Sequence, residues 1–520
     1  MNQGSYRMHV SILRRHHLAL FALVGLGWLT VAAVSAQPTQ LPVVTPKSQD
    51  PVTTESWYVT YVGNARTSYE REKITEFTQR GQSEFLIEHE EHMAVKRLGK
   101  EIKLDLLLTV REAWDGSLLA YDLKIENPPH QAATSQGRIN RGQFQLQTQL
   151  AGRVSNRNIE IPSNVVSSLY VNRWINSHPM KSGETKDFQI FKFESQTIDR
   201  VKISCMGKQI IKLHGGIEQQ LNCLRLTYDS TPNRRLVYYV HEHGDILKIE
   251  DDNIGGNSIS YKVPREIALQ ELSGAELDLT ISSMYTPEKP IPDAHQSRLI
   301  TYRISHPELL VSWHVSPSAN QELSQIDPHT IEIKASLIKL PHNAMPDTEK
   351  KDCLNPSMLL QIDDPQVVRL AQLSSGQSNG PARIATEMEA YLAKRILKDE
   401  LSSNMLSAAE VAKTMKGDCT EHAVLLCAML RARKIPARIA IGLVYVENLN
   451  AFVGHMWTEV WLSGQWYGLD ATQGRAGISA GYLKIADSEL SEDAPIPTSL
   501  LTPLMNVPRN LRIQVIQQKP

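Results

Sequence analysis

The chain has 520 residues, 41% hydrophobic and 21% charged, the balance of a globular protein, and it is too long for one ordinary core, so two or three domains are expected. Its 55 basic residues face 56 acidic ones, for a formal net charge of -1. No global field is left to recruit nucleic acid or an anionic membrane surface, which excludes partners of that kind held by net charge.

At the N-terminus, Arg7, Arg14 and Arg15 precede an apolar stretch from Leu18 to Val34, and Val34-Ser35-Ala36 stand before Gln37. This reads as a secretory signal peptide over residues 1–36, cut after Ala36. The alternative is an uncleaved N-terminal membrane anchor, although the stretch is a little short of the ~20 residues a bilayer needs. No cysteine sits at the cut site, so lipoprotein anchoring is not suggested. No later segment is apolar enough to span a membrane, and the mature chain is expected to be secreted or periplasmic. Residues 37–55 are rich in Pro, Thr and Gln and read as a flexible linker.

Residues 56–265 are strand-like. Trp57-Tyr58-Val59-Thr60-Tyr61-Val62, Lys103 to Val110 and Arg235 to Val240 are representative runs, separated by turn signals such as Asp115-Gly116 and His243-Gly244-Asp245. A large antiparallel β domain is the simplest arrangement. A second β segment follows over 266–345 and contains Leu309-Leu310-Val311-Ser312-Trp313-His314-Val315 and Thr330-Ile331-Glu332-Ile333. Neither region shows a catalytic constellation; both read as a rigid platform or a surface for substrate or partner.

Residues 346–505 change character. Ala382 to Lys398 place Ile384, Met388, Tyr391, Leu392 and Ile396 at spacings near three and four, an amphipathic helix. Ser407-Ala408-Ala409-Glu410 is a capping box that starts a helix through Lys416, which Gly417 ends. Asp418-Cys419-Thr420-Glu421 is a second box with Asp418 as N-cap, so Cys419 falls in the first turn of a new helix. Unsatisfied N–H groups and the macrodipole favour negative charge there, while Asp418 and Glu421 oppose it, so an imidazolium partner is still required.

A hairpin supplies that partner. Met456 to Leu462 and Gln465 to Asp470 flank Ser463-Gly464, a two-residue turn signal. With that loop Leu462 pairs with Gln465, Trp461 with Trp466 and, by continuation, Trp457 with Asp470. His455, Trp457 and Asp470 then share one face, and the imidazole and carboxylate are diagonal neighbours able to meet. Cys419, His455 and Asp470 are the parts of an activated thiol nucleophile: the thiolate attacks, an imidazole serves it, and a carboxylate holds the imidazole.

The five cysteines are an odd number for an oxidising compartment. Cys205 and Cys223 lie on neighbouring candidate strands and could bridge; Cys427 sits in the apolar run Val424 to Leu430 and reads as packing. Cys419 and His422 invite a zinc reading, but the paired ligands of a structural zinc site are missing. No calcium loop of the Asp-x-Asp-x-Asp-Gly kind is present. Neither a metal nor another cofactor is expected. Trp457, Trp461 and Trp466 read as hairpin packing before a substrate-binding wall, and Arg431 and Arg433 as cations complementing a helix C-terminus. Residues 506–520 read as a C-terminal tail.

Gly417-Asp418-Cys419 before an apolar helix, Arg431-Ala432-Arg433-Lys434-Ile435-Pro436-Ala437-Arg438, Gly454-His455-Met456-Trp457-Thr458-Glu459-Val460 and Trp466-Tyr467-Gly468-Leu469-Asp470-Ala471-Thr472 together resemble the bacterial transglutaminase-like core. The resemblance covers roughly Pro365 to Gly481. It implies a papain-like α+β fold, a helix-borne Cys packed on an antiparallel sheet, with Cys419 as nucleophile, His455 as general base and acid, and Asp470 as orienting group. One departure is Lys434, where many relatives have Gly; it lies on a turn and touches no catalytic role. The family includes amide crosslinkers, peptidases and amidases, so the expected partner is a protein or peptide substrate and the acyl acceptor stays open. A binding or structural module lacking catalysis is the reading from another class.

Overall fold

A computed structural model describes residues 51–520 except short internal segments, the longest being 273–283, 308–315, 342–348, 399–405 and most of 497–510. The expected signal peptide, residues 37–50 of the expected linker and the Leu309–Val315 run lie outside the described residues. No helix among the described residues is long and apolar enough to cross a membrane.

The first strand, Val52–Val62, begins inside the stretch read as linker and pairs with Ala65–Gln79 from Val52↔Glu76 onward. Val52, Thr53 and Thr54 are β-branched and suit a strand, a preference that the Pro/Thr-rich surroundings concealed. Among the described residues, fifteen strands between Val52 and Lys262 form one sheet, antiparallel throughout except where Val165–Ser167 joins Thr185–Lys192 in parallel. Its two edge strands are Arg153–Ile159 and Val165–Ser167, neighbours in sequence. Fourteen flat interstrand steps would separate them by about 65–70 Å, whereas the connector reaches at most about 20 Å. The sheet must therefore curl back on itself. A bridge between Ser117 and Val166 and a 2.9 Å bond from Ser167 N–H to Gly116 O mark the near-closure.

Alternation along these strands gathers buried side chains into apolar clusters, two of them large. One is built around Tyr121, Phe144, Phe191 and Phe193, the other around Val201, Ile203, Leu226 and Tyr238. Cys205 belongs to the second cluster, but Cys223, one residue out of step with Leu224 opposite Cys205, packs in a different cluster with Leu221 and Tyr239. Period-two alternation sends the two side chains to opposite faces, and all five cysteines are free. The possible Cys205–Cys223 bridge is thereby corrected.

The second β segment also differs from expectation. Leu299–Ser305, Gln321–Asp327 and Thr330–Ser336 form a four-stranded antiparallel sheet with Arg512–Lys519, in the stretch read as a tail. Ile513 is fully buried there against Ile304 of its neighbour. A strand with a single apolar stripe has no reason to order alone, and only the open edge of Leu299–Ser305 gives it a partner.

The C-terminal region has helices Pro365–Ser375, Pro381–Arg395, Ala408–Thr414 and Cys419–Ala432. The Cys419–Ala432 helix packs on an antiparallel sheet ordered Gln465–Leu469, Ala451–Leu462, Ala437–Val446, Tyr482–Ser488, and the other three helices pack around it. Every side chain from Ala423 to Leu430 is buried in this core, with Cys427 among them, and Thr458 Oγ1 donates to Ala423 O at 3.0 Å. Beyond the helices, Leu443, Tyr445, Phe452, Leu483 and Ile485 pack against the small sheet that contains the C-terminal strand.

Two helix ends fall short of their expected limits. The Pro381–Arg395 helix stops before Lys398, and the Ser407-capped helix ends at Thr414 with Met415 left-handed, before Lys416. Both ends give way so that Leu397–Lys398 and Lys416–Gly417 can pair in parallel just ahead of Cys419. The curled sheet is tied to this region through Arg153–Asp363 at 3.0 Å and Ser155 Oγ to Asp493 at 3.0 Å.

Candidate active site

The segment before the thiol is built by local bonds. Asp418 caps the Cys419–Ala432 helix: its carboxylate accepts from Thr420 N at 2.8 Å, and Glu421 Oε2 accepts from Asp418 N at 2.9 Å. The other Glu421 oxygen accepts from Leu406 N at 3.1 Å, so this fully buried carboxylate ties two chain segments together. A Cβ on Gly417 would lie 2.2 Å from Glu421 Cβ, and Gly417 has φ +154. No larger residue fits there. Cys419 is thus the first residue of its helix, partly exposed, while the other four cysteines are buried.

The hairpin has the expected register, Leu462↔Gln465, Trp461↔Trp466 and on to Thr458↔Leu469, around a turn in which Ser463 (φ 49) and Gly464 (φ 80) are both left-handed. Ladder pairing stops at Leu469, and Asp470 O instead accepts from Gln473 N and Gly474 N, both at 2.9 Å. His455 Nε2 lies 2.9 Å from Asp470 Oδ2. The Cys419 side chain also acts on this ring, favouring its charged form. Cys419, His455 and Asp470 are therefore brought together.

The electrostatics follow from that contact. Burial by itself would depress the His455 pKa, but the Asp470 charge, its hydrogen bond and the Cys419 contact overcome it and raise the value to about 10. Burial likewise opposes ionisation of Asp470, yet His455, Tyr482 and Thr472 hold its carboxyl well below the usual range. Asp470 accepts from Tyr482 Oη at 2.6 Å, Thr472 N at 2.8 Å and Thr472 Oγ1 at 2.7 Å besides facing the imidazole. The ring itself lies nearly parallel to Trp457, centroids 6.3 Å apart, and meets the edge of Tyr482 at 5.9 Å.

Two supporting residues escaped the sequence reading. Tyr482, on the last strand of the sheet, brings its hydroxyl to Asp470 across a tertiary contact with no local motif. Glu389, fully buried on the Pro381–Arg395 helix, accepts from Asp470 N at 2.9 Å and from Ala476 N at 2.7 Å, and burial pushes its carboxyl up to about 8. The signal available was a glutamate beside Met388 on an otherwise apolar helix face.

The remaining candidates have structural partners. His422 Nδ1 donates to Asp418 O at 2.6 Å, and burial lowers its pKa, so it is a neutral residue of the helix start. Trp457 is buried on the sheet face carrying His455. Trp461 and Trp466 pack on one another at 5.2 Å, with Arg438 4.1 Å above Trp466. Arg431 goes beyond complementing the helix end: fully buried, it donates to the carbonyls of Ala437 (2.9 Å), Asn355 (2.7 Å) and Glu489 (2.7 Å). Cys427 is buried and its thiol is pushed up by burial.

Gly442 stands opposite His455 in the ladder, and a Cβ there would fall 2.1 Å from Leu483 O and 2.9 Å from the Trp457 ring. The strands beneath the imidazole can approach so closely only without a side chain.

No curated protein sequence matches the chain. Among solved structures, it is similar to a proposed cysteine protease from Cytophaga hutchinsonii, at 20% identity over 42% of this chain and 86% of that one, TM-score 0.29. It is similar also to a beta-barrel-like protein, a domain of unknown function, from Brucella abortus, at 10% identity over 41% of this chain and 95% of that one, TM-score 0.28. A proposed protease from Parabacteroides distasonis is similar at 10% identity over 80% of this chain and 69% of that one, TM-score 0.20. Residues 369–471 match the family model described as the transglutaminase-like superfamily, and the C-terminal region of this chain carries a transglutaminase-like domain.

Proposed function

We infer that this protein is an exported thiol-dependent enzyme that transfers the acyl group of peptide or isopeptide amides, with Cys419 as nucleophile, His455 as general base and acid and Asp470 as orienting group. The observation that carries the reading is the 2.9 Å contact of His455 Nε2 with Asp470 Oδ2, in a ring whose charged form the Cys419 side chain also favours. The thiolate adds to the amide carbonyl, and the tetrahedral oxyanion is met by N–H groups at the helix start. Asp418 and Glu421 occupy several of these, and the amide of Cys419 is the first-turn donor their capping box does not use. His455 then protonates the departing amine, the C–N bond breaks, and a thioester remains. A second amine completes transfer and water completes hydrolysis; all steps before that are shared. The mechanism calls on no metal. The basic and apolar N-terminal stretch supports export.

An activity-based thiol probe tests the nucleophile: labelling at neutral pH is expected to vanish in Cys419→Ala and survive in Cys427→Ala. Labelling indifferent to Cys419 would mean a non-catalytic module. Incubation with a casein-derived peptide pool and a labelled amine, read by mass, separates the outcomes. Amide adducts mark transfer, and shortened or deamidated peptides mark the hydrolytic alternative of a cysteine peptidase or amidase.

A further inference from the structure

Beside the His455–Asp470 pair lies a cleft of about 420 Å³ lined by His295, Lys339, Glu447, Arg475 and Tyr482 among others, a size within the common range for ligand sites. Tyr482 is common to both places. Its hydroxyl bonds Asp470 at 2.6 Å, its ring meets that of His455 at 5.9 Å, and it also forms part of the cleft wall. The cleft is therefore one aromatic ring away from the imidazole.

Its floor is held in place. His295 Nε2 lies 2.7 Å from Tyr445 O, which can only accept, so that nitrogen carries the proton; Nδ1 then accepts from Ser479 Oγ at 2.7 Å. The ring packs edge-on against Tyr482 at 5.7 Å. Burial lowers its pKa, so it adds no charge at neutral pH. The charges come from Lys339 and Arg475, set against Glu447, a net single positive charge on the wall. The backbone carrying both cations is positioned by the fold. Ile338–Lys339 pairs with Gly477–Ile478, which puts Lys339 opposite Gly477, two residues from Arg475. The loop bearing Arg475 is pinned at Asp470 and Ala476 by the two oxygens of Glu389. One loop thus delivers the orienting carboxylate to the imidazole and a guanidinium to the cleft.

We propose that this cleft is a substrate subsite that takes a carboxylate-bearing residue of the acyl-donor peptide, so that acidic peptides are the preferred substrate class. The inference rests on the catalytic reading above for its position relative to the bond attacked. A planar guanidinium grips a carboxylate through paired N–H groups, and a lysine supplies a second point charge; Glu447 on the same wall disfavours a second acidic group and favours a neutral or amine-bearing neighbour.

The test uses the full chain with a fluorescent peptide series identical except for Glu, Gln or Lys beside a central glutamine. Turnover is followed by mass, and binding to Cys419→Ala by anisotropy. The Glu peptide is expected to exceed the Lys peptide about five- to tenfold in kcat/KM and in affinity, an advantage that shrinks with added salt. Arg475→Glu is expected to reverse the order, and Lys339→Glu, at a second exposed position, to weaken it. Turnover blind to peptide charge overturns the subsite and leaves the catalytic reading standing. Charge-ordered binding to Cys419→Ala without turnover by the native chain supports the subsite and removes the catalytic reading. Binding without charge order, or none at all, overturns the proposal.

Discussion

Replacing Asp470 by Asn removes the charge from the His455 pair while keeping shape and most hydrogen bonds. His455 is raised to about 10 only because the Asp470 charge and hydrogen bond and the Cys419 contact outweigh burial. Set against an ordinary value near 6.5, this is roughly 5 kcal/mol of preference for the charged ring, similar to the about 3–5 kcal/mol lost when one member of a buried pair is removed. Without the carboxylate, burial is opposed only by the Cys419 side chain, and the ring's pKa falls from that raised value. It is then a poorer source of that proton for a leaving amine, and turnover is expected to fall by about 10³–10⁴. The sign with pH is fixed by the same shifts. A raised histidine stabilises the folded state fully below about pH 6.5 and loses that contribution as pH rises through about 10. A depressed aspartate stabilises it above about pH 4 and loses that contribution on further acidification. The stability gap between native chain and variant is therefore widest between about pH 4 and 6.5. Nuclear magnetic resonance of the labelled His455 ring, urea denaturation across pH and steady-state turnover measure the three quantities. A variant whose His455 still titrates above pH 8, or whose turnover stays within tenfold of native, refutes the reasoning.

Tyr482→Phe deletes one of the hydrogen bonds to Asp470 and keeps the aromatic ring; an about tenfold fall in kcat/KM with little change in melting temperature is expected, checked by kinetics and calorimetry. Glu389 is raised to about 8 in the fold, so it binds its proton more tightly than the unfolded chain does and lowers stability as pH climbs from about 4.5 to 8; Glu389→Gln should flatten that slope in urea titrations at pH 5 and 8. Arg431→Met leaves three buried carbonyl partners without their donor and should cost about 2–4 kcal/mol in denaturant unfolding. Gly442→Ala forces a methyl against Leu483 O and should cost about 2–3 kcal/mol by the same measurement, with loss of turnover because the strand beneath His455 shifts.

Much of the site was legible because its parts are local. Two capping boxes needed only four consecutive residues each, and the helix starts at Ala408 and Cys419 came out as expected. The hairpin register followed from two turn residues, since a two-residue loop permits one pairing and period-two alternation then orders every side chain. The ends were less legible: helix stops at Arg395 and Thr414 depend on Leu397–Lys398 meeting Lys416–Gly417, a pairing of short segments that lie on either side of a helix and carry no local signal. The Arg512–Lys519 strand depends likewise on an edge more than 200 residues earlier.

What the sequence determined alone was whatever bonds within a few residues: the N-cap that starts the Cys419 helix, the glycine before it, the turn that aligns His455 with Asp470. Tertiary structure decided what required distant segments to desolvate one another. Glu389 has a raised pKa only because the helix carrying it is buried against the 470–476 loop, and Tyr482 reaches Asp470 only because the final strand joins the sheet beside Ala437–Val446. The same holds for the curled fifteen-stranded sheet, whose edges are neighbours in sequence but whose curvature follows from closing a long meander over a short connector. Hydrogen bonds of short span are written into neighbouring residues, whereas burial, and the charge states it governs, is a property of the assembled chain.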